Sequence, residues 1–335
     1  MEPVSQSDAP LLRAERSLLQ ALYGRGHLSG NAGTVLCEMA SERIVVRQAA
    51  PADTSAMLEI TRNVWEGSDY VPFVWDKWLA DGSGHLTVAI RAGIVCGLMH
   101  VEIQSDGTAW AEGIRVREDL QSRGIGSALL TEGISWARQA GSRRMRLSTY
   151  GANPSSNRLA ENAGFLEVER MRSLAVEPAS VTASDGYTLA LPADIDDVWD
   201  VVSGHRGVPA LYSEGWTAYT LDRRRLALLL ADHSVLMSKA GPSKGMAIAT
   251  SRPVRPVLRF GYFSGHKEDV VGLVKTLLAR AASAHMTRVS AVLRLEPDVA
   301  DILESLGFRN PDAAEMIVYA LDLEARPAKE RLSGR

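Results

Sequence analysis

The chain has 335 residues, 46% hydrophobic and 23% charged, with a formal net charge of −3. These values describe an ordinary globular composition and a length that favours two domains over one core. They argue against nucleic acid as the main partner, because no basic stripe stands out. No apolar run of about 18 residues is present to cross a membrane, and the N-terminus lacks the basic-then-apolar order of a secretory signal. Two cysteines, Cys37 and Cys96, give neither a disulfide framework nor a metal cluster, which points to a reducing, cytoplasmic setting. His100, His205, His233, His266 and His285 are scattered singly, so no metal is expected.

Residues 1–42 carry no clean period and are rich in glycine after Leu22, as expected of a flexible leader. From Arg43 the pattern sharpens. Ile44–Ala49 reads as a strand, and Pro51-Ala52-Asp53 opens a helix with Ala56, Met57, Ile60 and Val64 at helical spacing. The aromatic-rich stretch Asn63–Leu79 predicts a loop and a second helix starting near Pro72. Leu86–Arg91, Ile94–Gln104 and Thr108–Val116 read as successive strands joined by tight turns at Ala92-Gly93 and Ser105-Asp106-Gly107.

A glycine-rich turn, Gln121-Ser122-Arg123-Gly124-Ile125-Gly126, then leads into a helix from Ser127 to Gln139. A strand-to-helix turn of this kind presents consecutive N–H groups and the positive end of the helix dipole, a ready seat for a pyrophosphate. Arg117 and Arg123 add positive charge. The spacing fits neither the P-loop nor the dinucleotide fingerprint. Met145–Tyr150 is another strand, Asn153–Phe165 a helix ended by Gly164, and about Glu167–Val176 a last strand.

Gln121, Gly124 and Gly126 resemble motif A of the GNAT acetyltransferases, Gln/Arg-x-x-Gly-x-Gly/Ala, which follows a strand ending here at Val116. The element order and the Ala163-Gly164-Phe165 ending extend the resemblance over residues 43–177. It implies an α/β fold with a mixed sheet and acetyl-CoA as co-substrate, with no metal. The implied contacts to acetyl-CoA are Ile114, Val116, Gln121, Ser122, Arg123, Gly124, Ile125, Gly126, Ser127 and Asn157.

The second half repeats the design. Pro192-Ala193-Asp194 repeats Pro51-Ala52-Asp53, and Gly307-Phe308 repeats Gly164-Phe165, at nearly equal spacing. Ser234–Lys239, Met246–Thr250 and Val257–Tyr262 read as strands and Val270–Ala284 as the counterpart of the motif helix. The turn before it, Phe263–Asp269, lacks the glycine pattern and places Glu268 and Asp269 where a phosphate would sit. The reading is therefore two GNAT-like domains in tandem, the second degenerate. The divisions are a leader (1–42), a catalytic domain (43–178), the degenerate copy (179–323) and a polar tail (324–335).

Acetyl transfer to an amine needs a proton acceptor, a polarised carbonyl and a stabilised leaving thiolate. Regular alternation would put Trp110, Glu112, Ile114 and Val116 on one strand face, with Glu112 about 13 Å from Val116. The family often carries its base on this strand, which makes Glu112 the candidate. The family's usual general acid is a tyrosine four residues before the Gly-Phe glycine. That position is Ala160 here, so Tyr150 or a water is the substitute. Asp69-Tyr70-Val71-Pro72, Trp75 and Trp78-Leu79, with Glu112–Val116, resemble the histidine N-acetyltransferase-like group. That likeness implies a small primary amine as acceptor, such as a free amino acid, met by Asp69, Tyr70 and Trp75. A peptide or protein N-acetyltransferase and a catalytically silent acyl-CoA-binding module are the alternatives, and a homodimer is compatible with either.

Overall fold

The computed structural model describes residues 43–178, 182–205, 210–239, 245–251, 256–294, 297–310 and 313–324, so the leader and the tail expected from sequence lie outside them. The first half runs β1 (Val45–Gln48), α1 (Thr54–Thr61), α2 (Val71–Ala80), β2 (His85–Arg91), β3 (Ile94–Ile103), β4 (Ala109–Val116), α3 (Ile125–Gln139), β5 (Arg144–Tyr150), α4 (Pro154–Asn162) and β6 (Leu166–Val176). Local chemistry sets these boundaries. The Asp53 carboxylate accepts the Ala50 N–H at 2.8 Å and takes two hydrogen bonds from Arg47, which fixes the turn entering α1. Asn153 accepts the Ser156 N–H at 3.1 Å with Pro154 at the first helical position, and Gly164 at φ +88° ends α4.

The second half supplies β7 (Tyr187–Leu189), α5 (Ile195–His205), β8 (Ala210–Glu214), β9 (Thr217–Leu221), α6 (Arg223–Ala231), β10 (Val235–Ser238), β11 (Met246–Ser251), β12 (Val257–Ser264), α7 (Lys267–Ser283), β13 (Arg288–Leu293), α8 (Pro297–Ser305) and β14 (Glu315–Asp322). Three strands and the long helix fall where their periodicity predicts. The β8–β9 hairpin, α6, β13 and β14 are additions that sequence reading did not name.

One mixed sheet runs through both halves in the order β1-β2-β3-β4-β5-β14-β6-β13-β12-β11-β10-β7, and β8–β9 forms a separate two-stranded sheet. The last strand of each half is exchanged. β14 lies antiparallel between β5 and β6, and β6 pairs antiparallel with β13. Each half therefore closes the other's sheet, a pairing that local periodicity cannot reveal. Among the described residues no helix is long and apolar enough to cross a membrane.

The two faces of the first half's sheet are covered differently. On one, α3 packs so tightly that a Cβ on Gly97 would meet Ile125 at 2.9 Å and one on Gly133 would overlap the Met99 methyl. On the other, Leu98 packs into a cluster with Met57, Ile60, Val71, Trp75 and Trp78 of α1 and α2. His100, Glu102 and Gln104 share that second face by alternation. Farther along it the β8–β9 hairpin is docked, with Gln104 Nε2 donating to the Ala218 carbonyl at 3.1 Å and Arg146 to Thr220 Oγ1 at 2.8 Å.

Regular alternation fails on β4. Leu98 pairs with Arg115 and His100 with Glu112, so two β4 residues stand opposite Met99. Gly113 adopts φ +65° there, the left-handed conformation of a glycine bulge. The expected common face of Trp110, Glu112, Ile114 and Val116 is thereby corrected. Val116 pairs with Gly97 on the α3 side, whereas Arg115 turns with Leu98 toward α1 and α2, the face of Glu112.

Candidate active site

The two central parallel strands part company. β4 and β5 pair only through Ala109–Met145, Trp110–Arg146 and Ala111–Leu147. β5 stays attached to β14 along its whole length, down to Tyr150–Met316. Past the last parallel pair, Glu112–Val116 and Ser148–Tyr150 therefore form two lips of an opening in the sheet. Glu112 is the first residue on one lip and Tyr150 the last on the other.

The glycine-rich turn lies at the far end of the β4 lip. Gly124, at φ +82°, is the residue before α3, and no side chain caps the helix. The first-turn N–H groups, from Ile125 on, have no partner inside a helix, so they remain available to an anion. A Cβ on Gly126 would lie 3.3 Å from Leu159 of α4 and 4.0 Å from Val116. The loop is thus brought against both sides of the opening. Ser122, at φ +60°, shapes the turn, and the Gln121 amide reaches the Val116 carbonyl at 3.4 Å. Arg117 is paired with Asp119 at 2.7 Å, which compensates its charge.

Asn157, on the first turn of α4, donates to the Gly151 carbonyl at 3.0 Å and accepts from the Tyr319 hydroxyl at 3.2 Å. Tyr319 also reaches Glu161 at 3.4 Å, and burial followed by the Glu161 charge raises its pKa. Ala160 is buried beside them. A tyrosine hydroxyl from the exchanged strand thus stands one turn from the position where sequence reading found none. Nothing in the local pattern of β14 signals it, because its neighbours come from the other half.

On the opposite face Glu112 Oε1 lies 3.2 Å from His100 Nδ1, and the imidazole stacks on Trp78 at 4.4 Å between ring centroids. A Cβ on Gly113 would meet Trp78 at 2.8 Å, so glycine is required both for the turn and for the indole. Glu102, two residues along β3 on the same face, has its carboxyl pKa raised, first by burial and then by the Glu112 charge. Glu112 and Glu102 thus put two acids on this face, with His100, Lys77 and Arg225 close enough to act on Glu102.

The three residues expected to meet the acceptor are spread around this face rather than converging on it. Asp69 is buried and bound two-pronged by Arg115, at 2.8 and 2.9 Å, which occupies both its oxygens. Tyr70 stacks with Trp65 and meets Trp78 edge-on, and burial, then Glu112, pushes its phenol pKa up. Trp75 is core, its indole donating to Thr54 Oγ1 at 3.0 Å. Among the described residues no three His, Cys, Asp or Glu side chains gather as metal ligands.

The model of the Acetyltransferase (GNAT) family matches residues 54–165. An aminoglycoside N(6')-acetyltransferase type 1 from Stenotrophomonas maltophilia is 30% identical over 135 residues, 38% of this chain and 88% of that protein. The chain belongs to the GNAT acetyltransferase family. It is an N-acetyltransferase by that membership. In solved structures, a GCN5-related N-acetyltransferase from Sphaerobacter thermophilus aligns over 85% of this chain and 96% of its own, at a TM-score of 0.60 and 13% identity. A tandem GNAT protein from the clavulanic acid biosynthesis pathway aligns over 85% and 100%, at a TM-score of 0.56 and 14% identity. At such identities the likeness is one of fold, and it extends over both halves of this GNAT protein.

Proposed function

We propose that this GNAT protein transfers acetyl from acetyl-CoA to the primary amine of a small molecule, with Glu112 as the base. The observation that carries the reading is the opening between β4 and β5, with an uncapped helix start at one end and Glu112 on its lip.

The residues present fit the co-substrate. The first-turn amides of α3 and the side-chain-free faces of Gly124 and Gly126 suit a diphosphate, with Ser122, Arg123 and Ser127 around it. Val116, Ile114 and Asn157 line the path from there into the opening. Acetyl-CoA, when bound, supplies an activated acetyl group. The chain does the rest. Glu112 takes the proton from the incoming ammonium, and His100, held by Trp78, fixes the carboxylate's position. The bulge takes Gly113 and Ile114 out of regular pairing; the Gly113 N–H donates to the Tyr70 hydroxyl, and that of Ile114 is the one proposed to polarise a carbonyl oxygen. Tyr150, on the facing lip, is the proposed proton donor.

The acceptor we favour is a cationic small amine, of which a free amino acid such as histidine is one case. A second reading, an acceptor with several ammonium groups, gains support from the Glu102–Glu112 pair and from the aminoglycoside enzyme among the relatives. A screen of the twenty amino acids, diamines and kanamycin with acetyl-CoA, read by thiol release, separates the two. Binding of acetyl-CoA without turnover of any amine above background would overturn both and leave a silent acyl-CoA-binding module.

A further inference from the structure

Besides β14 along the β5 lip, the second half brings the tip of the β8–β9 hairpin to the opening. Gly215, at φ +67°, turns the hairpin, and Trp216 comes next. The Ser148 hydroxyl donates to the Trp216 carbonyl at 2.6 Å, and the indole meets Tyr150 edge-on at 6.1 Å between centroids. Ser148 and Tyr150 are the β5 lip, on the face that Arg146 and the hairpin share.

The backbone at this tip is fixed. Ala218 is held by Gln104, and Thr220 by Arg146 and by the Asp106 carboxylate. Ser213, on the partner strand, donates to the Val292 carbonyl. Yet the Trp216 side chain is left 42% exposed. The indole is thus carried to the β5 lip on a fixed backbone, beside the Tyr150 ring, with a face left open to a ligand. Because the backbone is already held, a ligand that stacks there has only the two side-chain torsions of Trp216 to order.

We infer that Trp216, supplied by the second half, forms with Tyr150 an aromatic wall that selects acceptors bearing a ring close to the amine. This rests on the reading above, in which the acceptor's amine reaches Glu112. A carboxylate on one lip and an aromatic pair on the other define an amine with a flat body, either an aromatic ring or the apolar face of a sugar. An acceptor made of a linear chain has no flat face to stack on the indole, so it gains less from the wall than a ring does.

The test uses the full chain and three sets of probes: histidine and tyramine, glucosamine and kanamycin, and lysine and putrescine. Trp216→Ala raises KM for ring-bearing acceptors about tenfold, equivalent to about 1.4 kcal/mol, with kcat and the KM for acetyl-CoA unchanged. Linear amines change less than twofold. Trp216→Phe restores most of the loss, whereas Trp216→Leu, which keeps apolar bulk without a flat ring, does not. Calorimetric binding of the same amines to the CoA-loaded protein gives a readout independent of turnover. Equal effects on ring-bearing and linear amines, or none on either, overturn the inference. Absence of turnover in the unmodified protein would fall on the proposed reaction instead, while the binding preference still decides the role of Trp216.

Discussion

Glu112 and Gly261 hold the same place in the two halves. Parallel pairing of β4 with β5 ends at Ala111–Leu147, and that of β12 with β13 ends at Phe260–Ala291. The next residue is Glu112 in one half and Gly261 in the other. Both strands also carry an irregularity there, marked by a register shift against β3 and β11 respectively. The first half places a carboxylate at its opening. In the second, a Cβ on Gly261 would overlap the Ser213 carbonyl oxygen, so β8 occupies that space. The helix starts differ in the same sense. α3 begins uncapped after Gly124, whereas at α7 Asp269 turns back to accept the His266 N–H at 3.2 Å. Its turn is packed shut, since a Cβ on Gly245 would meet Asp269 at 2.5 Å. The same frame is thus left open once, beside a carboxylate, and filled once, by a hairpin strand. The difference lies in what fills the gap rather than in the frame.

The comparison can be broken first at Glu112. Glu112→Gln should lower kcat by about 10²–10⁴-fold, the usual worth of a general base, with acetyl-CoA affinity unchanged by calorimetry. Unchanged turnover would end its assignment. Ser127→Asp transfers the second half's capping carboxylate to the third residue of α3. The negative charge and the backbone contact it makes should weaken acetyl-CoA binding by roughly 10–100-fold while thermal stability holds or rises slightly. Gly261→Ala attacks the other side. The added methyl collides with backbone, an overpacking cost of about 1–3 kcal/mol, and a drop in Tm of several degrees follows in differential scanning calorimetry. Because the hairpin must shift, KM for the acceptor should rise more than KM for acetyl-CoA.

The smallest effect concerns Glu102. Its carboxyl pKa is raised in the folded chain, first by burial, so the folded state holds its proton more tightly than the unfolded chain does. This favourable contribution is complete below the ordinary carboxylate pKa and is lost as pH rises through the raised one. Glu102→Gln should therefore raise Tm by roughly 2 °C at neutral pH, and the gain should fade on acidification. An increase that persists unchanged at pH 3 would mean that the charge at Glu102 is not its source.

Much of the frame was legible because it is written in local chemistry. Proline after a strand, glycine after a helix and alternating apolar residues mark most of the elements of both halves, and the turn from Gln121 to Gly126 marks the helix start. Pairings between distant segments were not legible. Asp69 reads as a partner for the acceptor's ammonium until Arg115 is seen to hold it. Glu112 and Val116 read as sharing a face until the bulge at Gly113 separates them, since a single left-handed residue resets a period of two. Tyr319 and Trp216 are unremarkable in their own segments. They gain meaning only from β14 being exchanged and from the β8–β9 hairpin crossing to β5.

The exchange also bears on how the chain is made. A fragment ending near residue 178 would carry β5 and β6 with no strand between them, and the bare hydrogen-bonding edges on either side of that gap would invite other chains. The opening beside Glu112, although built from residues of the first half, has its β5 lip secured only when the strand from Glu315 to Asp322 has been synthesised and slotted into place. The lip facing Glu112 is thus completed by a strand translated long after Glu112 itself.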